Sequence, residues 1–423
     1  MPDVPQEVRT GGRPPFIPPY QGGNEGGPPY QGGEEGGPPY QGADPPSSPL
    51  TKGGKRGVSL SKWGKTGVPL TKGGKRRVCL ALLPAGLLAA GCAASGPVAE
   101  PVYFPAPPAQ SHVVHLVSFN RLDELVPVRG SWMDVFRGQP VRPFVGTPAG
   151  IDYRDGHLYV CDSDANIVHD WDLATGRARR LGDKGETALS KPVDVAAGDN
   201  GTVYVADTGR GEVVAFEVGG AARRFVPPDR EGYKPAALAV GDGMLYVADL
   251  SSHQVDLFSA SDGARLGGFG GTGSEDGKFY YPMGVATAPG GDVLVSDSLN
   301  GRVQVFDAQR NPLRSIGGLG DRYGDMGRPR HVAVGPDETV FVADTAFAHV
   351  HLFNMDGQLL MLLGGADDAP GGTPMPVGVA VAPSLPEELA ALVPADFDAD
   401  YFLFTTNSVG RKRLSLYAVG LGR

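Results

Sequence analysis

The sequence predicts an all-β chain, a six-bladed β-propeller of four-stranded antiparallel blades, and three observations carry that prediction. Six prolines, Pro148, Pro192, Pro235, Pro282, Pro329 and Pro376, recur at intervals of 44, 43, 47, 47 and 47 residues, each opening a short apolar strand. A second strand follows in every unit and closes on aspartate or, in the sixth, asparagine: Asp162, Asp207, Asp249, Asp297, Asp344 and Asn407. The sixth unit runs out of chain before a fourth strand, while an orphan strand, His112 to Val117, precedes the first. A repeat of this length with no helical pattern cannot bury its own faces and must stack on its neighbours. Donating the orphan strand to the sixth unit closes the ring and removes its open edges.

The elements follow in order. Residues 1–67 form a low-complexity arm of Gly, Pro and Lys with almost no branched apolar residues, so it cannot gather a core. It repeats at a period of ten, first as Pro-Pro-Tyr-Gln and then as Leu50-Thr51-Lys52-Gly53 and its copies. Two readings stand: translated repetitive DNA upstream of the true start, or a disordered polyproline-like linker. Residues 68–91 read as a secretory signal. Lys72, Lys75, Arg76 and Arg77 precede an apolar run from Val78 to Ala90 that is too short to span a bilayer, which takes roughly 20 residues. Leu88-Ala89-Ala90-Gly91-Cys92 resembles the bacterial lipoprotein box, which implies acylation of Cys92, with an alternative start codon near Val68. Residues 92–110 are then a linker, and residues 111–423 the propeller.

Charge and cysteine content narrow the function classes. The chain's 38 basic and 47 acidic residues, less the 11 and 6 in residues 1–91, leave 27 and 41 in residues 92–423, a net charge of −14. An acidic domain is a poor partner for nucleic acid or an anionic membrane surface. Of three cysteines, Cys79 falls in the signal and Cys92 is the lipidation site. Cys161 is left as a small buried strand residue, so no disulfide framework forms.

Within the repeat, the innermost strand carries a branched residue three places after the proline and, in five of six units, alanine four places after it. Small and branched residues in alternation fit a strand packed on both faces near a narrowing axis. The second strands, such as Val203-Tyr204-Val205-Ala206-Asp207, are near copies, and third strands end on Trp171, Phe216, Phe258, Phe306 and Phe353. In the fourth unit, the glycine-rich Gly270 to Phe279, then Pro282-Met283-Gly284-Val285-Ala286, then Val295 to Phe306 with Asn300 and Arg302, resembles an NHL repeat. That resemblance, over roughly residues 143–423, implies a protein-interaction platform. It also implies a rival, since relatives of the fold include lyases, lactonases and amidating lyases with a divalent metal in the central funnel.

Candidate residues come from departures from the repeat, because a site needs asymmetry. The repeated aspartates themselves read as caps for turn N–H groups. Two places after each proline stand Gly150, Asp194, Ala237, Gly284, His331 and Gly378, so Asp194 and His331 break a small-residue rule from opposite sides of the axis. As funnel candidates they are too few for zinc, which takes three or four ligands, and hydrated channel residues is the plainer reading. His169, His253, His349 and His351 lie on or beside third strands and read as surface residues. Asp396-Phe397-Asp398-Ala399-Asp400 imitates the start of a calcium loop, but Tyr401 stands where glycine is needed. It closes an insertion, Ser384 to Asp400, with a short helix around Glu387, Glu388 and Leu389 that either meets a partner or caps the closure point. Ser131 to Gly138 holds Trp132, Met133 and Phe136, which either anchor a partner or pack on the rim.

The expectation is a lipid-anchored, monomeric, non-enzymatic propeller of the bacterial cell envelope. Its anticipated partner is a protein or an extracellular ligand, with no nucleic acid and no cofactor. The alternative is a propeller lyase, lactonase or other hydrolase using calcium, zinc or another divalent cation.

Overall fold

The computed structural model describes residues 101–126, 144–219, 221–227 and 231–423. Six sheets surround an axis, as the repeat predicts. Blade one consists of Pro148–Arg154, His157–Asp162, Ile167–Asp172 and Arg177–Leu181, from the axis outward. Blades two to five repeat it, with inner strands Pro192–Ala197, Pro235–Gly241, Pro282–Thr287 and Pro329–Val334. Each inner strand neighbours the next, and that of blade six, Pro376–Ala382, neighbours that of blade one. Proline suits the first position because it has no N–H to give the ladder, and pairing with the second strand shifts register just after it in all six blades.

The closure is the one expected. Val113–Phe119 pairs antiparallel with Leu414–Gly422, from Val113 opposite Val419 to Phe119 opposite Leu414. One strand was not anticipated: Val102–Phe104, in the stretch assigned to the linker, turns back on Val113–His115 and makes the last sheet five-stranded.

The core is divided rather than central. Six apolar clusters each sit between adjacent blades; one joins Tyr159 and Val168 of blade one to Val195, Val203 and Val214 of blade two, another joins Phe258's blade to Tyr204's. A blade alone would leave such side chains in water, at about 1.5–3 kcal/mol for each large one. That cost is why the units occur as a ring.

Two faces result. Inner strands begin, second strands end and outer strands lead to the next blade on one face, called here the proline face. Hairpins between inner and second strands, such as Asp155-Gly156 and Asp242-Gly243 with positive φ at all four residues, form the turn face.

Candidate functional site

The five cap aspartates bind the loop of their own blade to its inner strand. Asp344 accepts from Gly327 N at 2.7 Å, Arg328 N at 2.9 Å and Ala346 N at 2.9 Å. Asp207 does the same with Ser190, Lys191 and Gly209. The hydroxyl that follows then reaches the next blade: Ser163 Oγ donates to Pro192 O and Thr345 Oγ1 to Pro376 O, both at 2.8 Å. These carboxylates are structural, as their repetition indicates.

The glycines two places after the prolines mark how closely inner strands approach. A Cβ on Gly150 would lie 1.9 Å from Asp194 Oδ1, and one on Gly284 would lie 2.2 Å from Arg330 O. Small neighbours at this level let Asp194 and His331 cross the axis and meet, with His331 Nε2 3.2 Å from Asp194 Oδ1. The two are 1% and 9% exposed, so the expectation of hydrated, separate channel residues is corrected. Burial works against the charged imidazole, but the Asp194 charge and hydrogen bond, with Asp152 behind them, outweigh it and raise the His331 pKa.

Sequence reasoning passed over Asp152, although the signal was the same in kind: it stands where the other five inner strands carry Ala196, Ala239, Ala286, Ala333 and Ala380. Burial pushes its carboxyl up to about 6, against the N–H groups of Ala197 and Tyr153 and the Arg154 charge. It lines a cavity of about 660 Å³ that is walled by all six inner strands and extends to the turn-face residues Pro289, Pro336 and Pro383.

All three channel side chains reach the next inner strand. Asp152 Oδ2 accepts from Ala197 N at 2.7 Å, Asp194 Oδ2 from Leu238 N at 2.8 Å, and His331 Nδ1 from Val379 N at 3.4 Å. Inner strands of neighbouring blades share no ladder, and these side chains satisfy N–H groups left over at the seam. A divalent cation does not fit the set. Zinc and calcium take more ligands than the channel gathers, and no group of three or more His, Cys, Asp or Glu among the described residues is arranged around a common point.

The surface is more polarised than the channel. Of thirteen exposed large apolar residues among those described, nine lie in proline-face loops. Several lie on neighbouring loops of blades three to five. The His253 ring sits 5.5 Å from Tyr280 and 5.2 Å from Tyr281, and its Nδ1 accepts from Tyr281 N. Leu299 N donates to Tyr280 O, Leu319 abuts Gly301, and Phe347 abuts Gly327. Leu319 is 67% exposed and Tyr323, in the same loop, 70%. Exposed acids lie on both faces: Asp155, Asp199, Asp242, Asp337 and Glu338 in the turn-face hairpins, and Asp164, Asp183, Glu231, Asp276 and Asp321 in the proline-face loops.

The remaining candidates fall as follows. Cys92, Trp132, Met133 and Phe136 lie outside the described residues. The short helix Glu387–Ala390 forms where expected, with Glu387 and Glu388 exposed, but Leu389 is 2% exposed and joins the core between blades six and one. The insertion therefore packs on the turn face, where Tyr153 Oη donates to Ser384 O. Two histidines correct the surface assignment: His169 and His351 are buried, because a fourth strand covers the third. Nearby Asp162 and Asp344 approach them at 3.6 and 3.7 Å. Asp396 and Asp398 are engaged with Tyr103 and Arg423 rather than arranged as a calcium loop.

Residues 189–216 and 279–306 match the NHL repeat family, each running from the loop before an inner strand to the end of a third strand. No curated protein matches the sequence. Among solved structures, a streptogramin B lyase aligns at TM-score 0.47 and 12% identity over 65% of this chain and 94% of its own. A virginiamycin B lyase from Staphylococcus aureus aligns at 0.47 and 10%, over 66% and 96%. A chain of a nidogen/laminin complex aligns at 0.42 and 14%, over 51% and 80%.

Proposed function

For a six-bladed propeller that carries NHL repeats, we propose a role as a non-enzymatic binding module of the bacterial cell envelope. It is tethered by acyl chains on Cys92 and engages a partner protein through its proline face. The observation that carries this reading is the arc from His253 through Tyr280, Tyr281 and Leu299 to Leu319 and Phe347: rigid aromatic and aliphatic side chains presented by loops on a closed scaffold. Interfaces draw much of their energy from a few anchors, in which tyrosine is enriched along with tryptophan and arginine. Two acyl chains, or one with a second signal, hold such a domain at a membrane. The competing lyase, lactonase or hydrolase reading needs a metal in the funnel, and no group of three or more His, Cys, Asp or Glu among the described residues gathers there.

A photoreactive amino acid at Tyr281, compared with one at Asp242 on the turn face, tests the reading in intact cells. Specific cross-linked bands are expected from position 281 only, lost when Tyr280→Ala and Leu299→Ala are added, and Cys92→Ala is expected to move the protein from membrane to soluble fractions. Equal cross-linking from both faces, or stoichiometric zinc or calcium in the purified protein that is lost on Asp194→Asn, would reverse the preference.

A further inference from the structure

Four cations stand at the starts of three inner strands on the proline face. Lys191, Lys234 and Arg328 each stand one place before the proline of an inner strand, and Arg330 stands one place after Pro329. The cap aspartates fix three of these backbones: Asp207 accepts from Lys191 N at 2.8 Å, Asp249 from Lys234 N at 2.9 Å and Asp344 from Arg328 N at 2.9 Å. The first three side chains are exposed, and Arg330 is half-buried. None of the four side chains has a hydrogen-bond or ion-pair partner among the described residues, whereas Arg265 and Arg302 elsewhere are paired with buried carboxylates.

Arg330, half-buried, belongs to the inner strand that also carries His331. Burial lowers its pKa, and it feels the charge of Asp194, which belongs to an inner strand three blades away. Asp194 is itself held by His331, so it does not take the guanidinium as partner. A guanidinium half removed from water and left unpaired is matched by a planar two-oxygen anion. In blade four the position of Lys234 and Arg328 is taken by Tyr281, so the cations and the aromatic arc form one surface.

We infer that the proline-face mouth of the channel is a carboxylate-binding site and that the partner presents an acidic peptide segment there, one carboxylate on Arg330 and its neighbours facing Lys191, Lys234 and Arg328. The interleaving of Tyr281 with the cations favours a chain that alternates acidic and apolar groups over a free anion. The assignment rests on the binding reading above and names the chemistry of its partner. Rim cations act within a Debye length of about 8 Å and steer association, while the half-buried Arg330 holds the bound state.

The test uses the full chain and a fluorescent peptide of alternating glutamate and tryptophan, its glutamine counterpart, and an oligothymidylate of equal charge. The glutamate peptide is expected to bind at 50 mM NaCl at least tenfold more tightly than either, and to weaken as salt rises. Arg330→Gln is expected to weaken it tenfold or more, Arg330→Lys to restore part of the loss, and Lys191→Gln or Lys234→Gln to cost twofold to fourfold, with thermal melts confirming each fold. Equal binding of the glutamine peptide, equal binding of the oligonucleotide, or an unaffected Arg330→Gln protein would each overturn the inference. If cross-linking from position 281 survives Arg330→Gln, the acidic-segment assignment fails alone; if position 281 never cross-links, the binding reading fails first.

Discussion

Asp152 is the inner-strand residue that most repays a change of pH. In the unfolded chain its carboxyl titrates near the ordinary value of 3.8, and in the folded protein at about 6, so between those values the folded state binds more protons. Stability from this group is therefore greatest at the acid end of the window and declines as pH rises through 6. Asp152→Ala, which restores the residue of the other five blades, removes that penalty but strands the Ala197 N–H, at about 1–3 kcal/mol. The variant is expected to be less stable than the parent at pH 4.5, and the gap to shrink by about 1–2 kcal/mol by pH 7.5, less than the full shift because the carboxylate opens on the channel. Urea titrations at the two pH values check this, and a gap independent of pH would show that the carboxyl does not titrate there. His331 adds to the same trend at higher pH, since a raised imidazole pKa gives stability that is present below 6.5 and lost above the folded value, less the Val379 N–H that only the neutral ring's Nδ1 accepts. Asp152 was readable in the sequence as a broken alanine rule. That Asp194 and His331 touch was not, because contact across an axis depends on how far six strands draw together, and that distance is set by glycines in other blades.

The proline-to-aspartate half of each blade behaves as one element. The aspartate carboxylate at the end of the second strand serves the loop before the inner strand and its own turn at once, and the following hydroxyl ties the blade to the next. Removing it strands several N–H groups together. Asp344→Ala is expected to cost about 2–4 kcal/mol in urea unfolding, with the largest gain in hydrogen exchange at Gly327, Arg328 and Ala346. Exchange confined to the 345–348 turn would show that the carboxylate serves only its local turn. This element was the most legible part of the chain, since local chemistry, proline without an N–H and a short carboxylate before Ser or Thr, fixes it in every blade. The third strands were less so. His169 and His351 look like surface residues in a period-two pattern, and only the fourth strand, variable in sequence from Arg177–Leu181 to Leu359–Leu363, encloses them.

At the scale of the ring, stability depends on a strand that the repeat itself does not contain. Val113–Phe119 completes the last sheet, and its Val113, Val114 and Phe119 enter the clusters on both sides of blade six. Without it Leu414–Gly422 becomes an open edge, and Trp171 and Tyr417, both fully buried, lose part of their cover. An open edge beside exposed apolar surface favours association with other chains. A chain lacking residues 101–119 is expected to melt at least ~10 °C lower and to oligomerise, since losing several large buried side chains removes about 1.5–3 kcal/mol each. A synthetic peptide spanning residues 109–121 is expected to bind the truncated chain and restore a monomer, because the groove it fills is the strand position itself. Loss of monomer without rescue would mean that the N-terminal strand acts during folding rather than in the finished ring, and an unchanged melt would mean that the ring holds without its latch.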